Sequence, residues 1–413
     1  MQRVSYLRDP IGTMERYQRA LGDIYLVALG PGMVFVSTPE LAKEVLTQPE
    51  ENLVAGEAKL HVFGKILGDS STLLLDGPAH LKRRRLLLPR FRGELAQELA
   101  PAMRAACDQV LRELPIGHEF ALHPYMHRIA FAVISSSLFA STPRQRIHAL
   151  ESACRTFAHR AVTSRLLMFR QLQKDFPFSP WTKVQTVVSE ARRAVLSEIR
   201  ARRAAKQDGD DILGMLLTAT DDDGASLTEA AIVDEILTMV AAGHETTSMA
   251  LTWLCYAVYS RPDVLAKLRE GDPAYREATV RESLRMYSVI PNGSGRLAKR
   301  DFELGGYTVP KGSLVTIAFH QVHRRLDIFA DAETFKPERF LDAKYGPYES
   351  LPFGGGTRRC LGMPFAMFEL GLVLQAMVER FDLEVVQKQV KPMWRGRFLT
   401  PSKGLLVKAA TRA

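Results

Sequence analysis

The residues whose types and spacing most clearly point to a chemical role lie in the segment 353–362, which reads FGGGTRRCLG. Cys360 follows a glycine-rich turn and precedes an apolar, helix-like run that starts near Pro364. A helix N-terminus offers free N–H groups and a favourable dipole, which predicts a lowered pKa for the Cys360 thiol. A single thiolate of this kind suits a haem iron, and glycines would let the backbone lie close to a flat cofactor. The alternative is a buried structural cysteine, which the length of the flanking pattern disfavours.

This segment closely resembles the haem-ligand signature of the cytochromes P450, the haem-thiolate monooxygenases. The family pattern is Phe, two residues, Gly, three residues, Cys, one residue and Gly. Phe353, Gly356, Cys360 and Gly362 fill it without a gap. The resemblance implies that Cys360 is the axial ligand of the iron of haem b, and that Phe353 and Gly362 contact the cofactor.

A second segment, ESLR, contains Glu282 and Arg285. Asp272 as N-cap, Pro273 at the first helical position and a stop before Pro291 predict a helix around it. A spacing of three places the carboxylate and the guanidinium on one helix face. Taken alone, such a pair is more often a solvated surface pair that contributes little.

A third segment, FKPERF, favours a buried pair over a solvated one. It resembles the family element whose arginine joins the Glu–Arg pair in a buried triad. Arg339 is the matching residue. The planar guanidinium of arginine stays charged and engages a carboxylate at two points. The resemblance therefore implies a structural triad of Glu282, Arg285 and Arg339.

The longest helical pattern contains a fourth segment, AAGHETT. A capping-box spacing of Ser226 and Glu229 predicts its start, and helix-compatible sequence continues to about Ser260. Gly243 in mid-helix favours a local distortion. In the family this stretch crosses the distal face of the haem and carries an acid–alcohol pair that supplies protons. Glu245 and Thr246 match that pair, and ordinary packing with a surface glutamate is the alternative.

Basic residues near the expected cofactor form a fifth group. By resemblance, a histidine and an arginine four residues later bind a haem propionate, and further basic residues follow on a strand and before the cysteine. The matching positions are His80, Arg84, Arg296 and Arg358. The run 82–85 also allows a nucleic-acid patch or a solvated helix end. Its interleaving with leucines, and the absence of a nucleic-acid-binding motif, count against nucleic acid.

The composition fits this interpretation without proving it. The chain has 413 residues, 46% of them hydrophobic, which is enough for a large core. No linker, repeat or low-complexity tract divides it. We expect a single compact domain over 1–413, mainly α with small β-sheets, in which a helix-rich core is joined by a smaller β-containing N-terminal part. The segments 23–29 and 33–37 predict a β-hairpin joined at 30–32.

The remaining cysteines and one histidine pair are assigned structural roles. Cys107, Cys154 and Cys255 lie singly in apolar, helical settings and are expected to be core thiols in a reducing compartment. His320 and His323 have the spacing of a metal pair, but no further ligands follow at zinc-like spacing. No stretch of about 20 apolar residues and no signal peptide occur, which predicts a soluble, cytoplasmic, bacterial-type protein without a membrane anchor.

Two kinds of partner follow from the resemblance and the charge. The formal net charge is +9, and basic residues cluster at 82–85 and 358–359. In similar proteins that side receives an acidic electron donor, and complementary charge speeds such an encounter. No flavin- or nicotinamide-binding segment is recognisable. We therefore expect a monomer that receives electrons from a separate ferredoxin or flavodoxin with its reductase, and that consumes O2.

The substrate pocket is predicted by resemblance. The loop 60–74 and the segment 157–178 should contribute to it. The individual lining residues are expected to be Leu237, Val240, Ala241, Val289, Ile290, Phe398 and Leu399. These residues are apolar, which favours a terpenoid, steroid or fatty-acid derivative. Arg160, Arg165 and Arg170 lie near the expected entrance and are more often solvated than substrate-binding. The adjacent run 166–169, LLMF, favours an adaptable entrance.

The predicted function is hydroxylation of a C–H bond by a haem-thiolate monooxygenase. One rival function keeps the haem but uses peroxide or catalyses an isomerisation or dehydration. The Glu245–Thr246 pair counts against it. Two further candidates are a non-catalytic haem-binding protein and a basic nucleic-acid-binding protein, and each would leave the coincidence of five segments unexplained.

Overall fold

The long helix predicted around the segment AAGHETT is the axis of the computed structural model. The structure describes residues 5–6, 8–28, 32–88, 97–168, 172–174, 176, 179–220, 224–395 and 398–412, with backbone alone at 61, 165 and 168. Helices account for 57% of it and the strands form small sheets, which confirms the mainly α prediction.

The helices and strands follow one another with few long connections between them. The α-helices are α1 Pro10–Leu21, α2 Pro39–Thr47, α3 Gly56–Leu67, α4 Gly77–Leu87, α5 Ala100–Leu111, α6 His123–Phe139, α7 Arg144–Thr156, α8 Pro180–Ala205, α9 Ile212–Thr218, α10 Glu229–Tyr259, α11 Pro262–Arg269, α12 Pro273–Met286, α13 Phe319–Val322, α14 Arg339–Asp342 and α15 Met363–Arg380. The strands are β1 Ile24–Val27, β2 Met33–Val36, β3 Leu53–Val54, β4 Glu119–Ala121, β5 Gly293–Ala298, β6 Phe302–Leu304, β7 Tyr307–Val309, β8 Leu314–Ile317, β9 Phe381–Val385, β10 Pro392–Arg395, β11 Phe398–Pro401 and β12 Leu406–Thr411. A π-helical turn, Phe157–Val162, continues α7, and 3-10 turns occupy Arg165–Met168, Gly356–Arg358 and Ser402–Gly404.

The central helix α10 owes its length to an apolar sequence and a capped start. It has 31 residues, which corresponds to roughly 46 Å at 1.5 Å per residue. Its N-cap is Thr228, whose hydroxyl accepts from the N–H of Ala231, so the predicted capping box of Ser226 and Glu229 is wrong. Helices α6, α8, α12 and α15 pack around α10 and bury most of its surface.

The expected distortion at Gly243 does not interrupt α10, which is helical through this position. A Cβ at Gly243 would lie 3.3 Å from Cδ1 of Ile134 on α6. A larger residue at this position would therefore require a small shift of the Ile134 side chain.

The largest sheet has five strands in the order β1-β2-β8-β5-β3. Strands β1 and β2 form the predicted hairpin, although residues 30 and 31 of its predicted connection lie outside the described part. Strand β2 pairs in parallel with β8, and β8 pairs antiparallel with β5. Strands β5 and β8 thus complete the sheet that the N-terminal hairpin begins. Strands β4, β12 and β9 form a second sheet, and β6-β7 and β10-β11 form two-stranded ribbons.

The three remaining cysteines are core thiols, as predicted, and the histidine pair is buried. Cys107, Cys154 and Cys255 are free and buried, and burial raises the pKa of each thiol to about 12. His320 and His323 are buried and serve packing. His323 Nε2 accepts the N–H of Leu351 at 2.9 Å, and His320 Nε2 lies 3.3 Å from a Glu15 oxygen.

Candidate active site

The cysteine loop, residues 353–362, contains the 3-10 turn Gly356–Arg358 and leads into α15. The N–H of Cys360 donates to the carbonyl of Phe353 at 2.9 Å, which closes the loop. Gly354 and Gly356 have φ values of +66° and +65°, in the left-handed region that favours glycine. Gly362 is the N-cap of α15. Cys360 is exposed, whereas the other three cysteines are buried.

The glycines of this loop have two different surroundings. A Cβ at Gly355 would come within 2.8 Å of Leu46 Cδ1, and one at Gly356 within 3.2 Å of the Leu46 carbonyl. The glycine run therefore serves the turn and its packing against α2, and its predicted closeness to a cofactor stays a prediction. At Gly362 and Gly295 a Cβ would meet nothing within 4 Å, so open space lies beside both.

The predicted lowering of the Cys360 pKa is wrong for the thiol in this structure. Desolvation by the surrounding protein raises the pKa above its ordinary value, although the side chain is exposed. A hydrogen bond from the Gly362 N–H and the charges of Arg84 and Arg359 oppose this increase. A metal ion deprotonates a coordinating thiol outright, so the balance found here does not disqualify Cys360 as a ligand.

Four basic residues predicted from the sequence lie close enough to influence one another. Burial, followed by Arg358 and Arg84, lowers the pKa of His80 to about 4. Burial and Arg358 lower the pKa of Arg296 to about 10. Arg358 donates to Asp76 at 2.6 Å, and the same carboxylate accepts three backbone N–H groups. The crowded cations fit a bound dianion, and the two propionates of haem have this charge.

The predicted triad is assembled and buried. Arg285 donates to both oxygens of Glu282, at 2.6 and 2.8 Å, and Arg339 Nε donates to Glu282 Oε1 at 3.1 Å. The backbone N–H of Lys336 adds a fourth bond to the same carboxylate. The guanidinium of Arg285 also donates to the carbonyls of His323 and Ala332, so α12 is tied to two loops. Asp272 caps this helix and Pro273 begins it, as predicted.

One stripe of α10 remains partly accessible although most of the helix is buried. Thr238, Ala242 and Thr246 follow one another at a spacing of four, which places them on one face. The lining residues predicted from the sequence lie on the neighbouring face and are buried, and their lining role stays a prediction: Leu237, Val240 and Ala241. Thr238 and Ala242 were missed, and counting back in steps of four from Thr246 would have found them.

The acid and the alcohol of the predicted pair have separate partners. Glu245 is completely buried, and its Oε1 lies 3.0 Å from Nε2 of His127 on α6. Its other oxygen, Oε2, lies 3.8 Å from Nε of Arg395. Thr246 lies on the accessible stripe and donates its hydroxyl proton to the Ala242 carbonyl. His127 is 118 residues from Glu245 in the chain, and no sequence pattern linked the two.

The remaining predicted pocket residues meet beside α10. The N–H of Leu399 donates to the carbonyl of Val289 at 2.8 Å, and the Leu399 carbonyl accepts from the indole of Trp253 at 3.0 Å. Phe398 is buried, whereas Ile290 is 39% exposed. Strand β11 and the turn after α12 are therefore fixed against α10, and their lining role stays a prediction.

The loop that follows α3, and the helix α4 after it, are tied to α10 by polar contacts. Arg83 donates to Glu235 at 2.6 Å, and the N–H and the hydroxyl of Thr72 donate to the same carboxylate. The hydroxyls of Ser71 and Thr238 are 2.7 Å apart. Arg83 is thus directed inward and does not belong to the exposed basic face predicted for residues 82–85.

Part of the predicted entrance can be placed. Arg160 is exposed and Leu167 is buried. The side chains of Arg165 and Met168, and residues 169–171, lie outside the described part. Within the described part no helix has the length and apolar character needed to cross a membrane.

Comparison with known proteins agrees with these features. A family described as Cytochrome P450 matches residues 2–409. A Mycobacterium tuberculosis relative named cytochrome P450 135B1 is 32% identical over 438 residues, covering 100% of this chain and 90% of the relative. Another relative from that organism, named cytochrome P450 138, is 32% identical over 383 residues, covering 90% and 85%.

Solved structures show the same fold. The retinoic acid-bound cyanobacterial CYP120A1 superposes with a TM-score of 0.85 at 24% identity, covering 99% of this chain and 96% of that one. The haem domain of cytochrome P450DA gives 0.83 at 22% identity, covering 99% and 95%. The chain belongs to the cytochrome P450 family, and it is a haem-thiolate monooxygenase with haem b as cofactor.

Proposed function

We propose that this cytochrome P450 hydroxylates a C–H bond of a hydrophobic small molecule, such as a terpenoid, steroid or fatty-acid derivative. Electrons come from a separate ferredoxin or flavodoxin with its reductase. When bound, the haem supplies the activation of O2 and the transfer of one oxygen atom to carbon. The protein supplies the ligand, the protons and the positioning of substrate.

The exposed thiol of Cys360 carries this proposal. It stands at the start of α15 with open space beside Gly362, in a loop closed by the Phe353 carbonyl. Cys360 would hold the haem iron through its thiolate, and that ligand would supply electron density to the iron. Phe353 and Gly362 are proposed to contact the cofactor.

The basic cluster is proposed to hold the propionates. Arg84, Arg296 and Arg358 supply charge, and His80 supplies a neutral N–H, since its pKa is about 4. Burial is the main cause of the lowered pKa values of His80 and Arg296, and an anion placed between these residues would relieve the repulsion that adds to it.

The proposed proton supply involves Thr246 and Glu245. Thr246 holds its hydroxyl on the accessible stripe of α10, where it can hold a water and pass on a proton from Oγ1. Glu245 lies one residue away and is completely buried, so a proton reaching it has to come through a partner or a water. His127 is the group within hydrogen-bond distance of its carboxylate.

The chemistry of the pocket supports an apolar substrate. The accessible stripe of α10 carries Ala242 and hydroxyls already bonded within the protein, because Thr238 bonds Ser71 and Asp234, and Thr246 bonds Ala242. Val289, Phe398 and Leu399 stand beside this helix. None of these groups offers a fixed charge for a sugar or a free amino acid.

The exposed basic residues on the side of Cys360 support an acidic electron donor. Lys82, Arg85 and Arg359 are exposed on α4 and in the cysteine loop. Cationic side chains at this position would steer an acidic ferredoxin or flavodoxin, and the association rate would then fall steeply with salt.

An optical experiment on purified, haem-loaded protein tests the proposal. The ferrous carbon monoxide complex should show the red-shifted Soret band of thiolate ligation. Titration with terpenoids, steroids, fatty acids and sugars should convert low-spin to high-spin haem with one apolar class. Absence of the thiolate band would refute Cys360 as ligand. A spin shift with sugars alone would refute the substrate class.

A further inference from the structure

A second group of ligand-type side chains lies between α6 and α10. His127, His244 and Glu245 each offer one donor atom, and these atoms all lie within 4.8 Å of one another. His244 and Glu245 are completely buried, and His127 is 13% exposed. The ring centroids of the two histidines are 3.9 Å apart. The proposed haem chemistry assigns no role to either histidine as a metal ligand.

The protonation of His244 is fixed by its surroundings. Its Nε2 lies 3.0 Å from the carbonyl of His127, and a carbonyl accepts hydrogen bonds without donating them. Nε2 must therefore carry the proton, which leaves a lone pair on Nδ1. This Nδ1 is buried and has no hydrogen-bond partner among the described residues. A hydrogen bond from the distal nitrogen to a carbonyl is also the usual way in which a metal-ligating histidine is oriented.

Glu245 offers a second unused acceptor at the same place. Its Oε2 is buried and has no hydrogen-bond partner within the described part of the chain. The nearest cation, Nε of Arg395, is 3.8 Å away, and the guanidinium instead donates to Nδ1 of His159 at 3.2 Å. Each of these two buried acceptors calls for a donor or a cation beside it.

We propose that His127, His244 and Glu245 form a zinc-binding site that is separate from the haem. Two histidines and one carboxylate are a zinc ligand set that leaves a fourth position open. His127 Nε2 and Glu245 Oε1 are 3.0 Å apart, close to the roughly 3.3 Å that separates two ligands on a tetrahedral zinc ion. The ligand atoms of the three residues lie within 4.8 Å of one another, so the third ligand, from His244, has to move closer by about 1.5 Å or less.

Two neighbouring side chains bear on zinc binding: His159 lies on the side of solvent, and the cation of Arg395 competes with zinc for Glu245. His159 is exposed, and its ring centroid is 5.7 Å from that of His127, so an imidazole lies on the way in from solvent. Arg395, with 29% of its side chain exposed, opposes a dication near Glu245. Its side chain can turn toward solvent, and its removal should favour zinc.

Zinc at this site would regulate the enzyme by occupying Glu245. This second part rests on the proposed function, in which the Glu245 carboxylate takes part in proton supply. A carboxylate bound to zinc is a poor proton carrier, because the metal holds the lone pair that would accept the proton. Thr246 has its own partner and would be untouched. Zinc should then slow O2-driven turnover and leave the carbon monoxide spectrum unchanged.

Equilibrium dialysis of the haem-loaded protein against Zn²⁺ alone tests the binding. We expect one zinc ion per chain, affinity lowered at least tenfold in His127→Gln and in Glu245→Gln, and affinity raised in Arg395→Gln. The exposed His118 and His148 provide matched controls, and their Gln variants should bind zinc as the unaltered protein does. X-ray absorption at the zinc edge should show two imidazoles and at least one oxygen.

The outcomes separate the two parts. Absence of stoichiometric zinc, or an affinity that His127→Gln leaves unchanged, would overturn the site and leave a water as the occupant. Zinc that binds as expected without slowing O2-driven turnover would overturn the regulatory part. Loss of the thiolate carbon monoxide band in the unaltered protein would refute the proposed haem ligand, and the dialysis result would still decide the zinc site.

Discussion

Arg285 donates hydrogen bonds to both oxygens of Glu282, one helical turn earlier, at 2.6 and 2.8 Å, and both side chains are completely buried. Arg339 and the Lys336 N–H complete the coordination of the carboxylate. A buried ion pair offsets its own desolvation when the remaining hydrogen-bonding capacity is satisfied, as it is here. Removal of one partner leaves a charge without compensation in the interior.

The first prediction concerns this pair. Arg285→Ala should destabilise the protein by about 3–5 kcal/mol, because Glu282 would remain buried and would keep one arginine partner instead of two. Poor expression and low haem content should follow. Arg281 forms an exposed ion pair with Glu277 on the same helix, and Arg281→Ala should cost less than about 1 kcal/mol. Chemical unfolding of both variants decides the matter, since equal losses would show that burial of the triad is unimportant.

The sequence predicted those features that depend on local pattern. The helix around Glu282 was placed by its cap, the hairpin by its alternation, and Cys360 by its loop. Each of these signals lies within about ten residues of chain. The triad was predicted across a longer span, from the resemblance of two segments to one family.

Features that depend on packing between distant segments were not predicted. The proximity of Glu245 and His127 joins residues 118 positions apart and has no local signal. Burial reversed the expected pKa shift of Cys360, because desolvation outweighs the N–H group of Gly362. The sequence did not single out the accessible face of α10, since buried residues occur on every side of this helix and its pattern alone does not distinguish core from pocket.

The second prediction distinguishes the four cysteines. Cys360→Ser should abolish the thiolate carbon monoxide band and monooxygenation while leaving the fold intact, because the side chain is exposed. Cys255→Ser is the matched control. It places a hydroxyl in the core and should lower stability by about 1–3 kcal/mol, yet it should keep the band. A Cys360→Ser protein with an unchanged spectrum would refute the assignment of the ligand.

The third prediction concerns pH and His323. Burial, followed by the charge of Arg285, lowers the pKa of His323 to about 3, against 6.5 for an unhindered histidine. Between these values the unfolded chain binds one proton more than the folded chain, so stability is complete above pH 6.5 and falls as the pH decreases toward 3. The loss amounts to about 1.4 kcal/mol per pH unit within that window.

A glutamine variant isolates this contribution. His323→Gln keeps an acceptor for the Leu351 N–H but cannot take up a proton, so its free energy of unfolding should depend less steeply on pH between 6 and about 4. The exposed His148 provides the control, and His148→Gln should keep the original slope. If the free energy of unfolding of His323→Gln also keeps the original pH slope, His323 does not titrate in this window.

The last prediction separates the hydroxyl of Thr246 from its methyl group. Thr246 places its Oγ1 on the accessible stripe of α10 and donates to the Ala242 carbonyl, so the helix itself holds the hydroxyl proton on that stripe. Thr246→Ala should lower the product formed per electron consumed by about tenfold, which is less than the roughly 100-fold or more typical of proton-transfer groups, because water can partly replace a hydroxyl. The missing electrons should appear as hydrogen peroxide, measured with oxygen uptake. Thr246→Ser keeps the hydroxyl at the same atom and should restore most of the coupling. Equal coupling in Thr246→Ala and the unaltered protein would mean that the hydroxyl takes no part in proton transfer. That result would favour the alternative function, an enzyme that uses peroxide in place of O2.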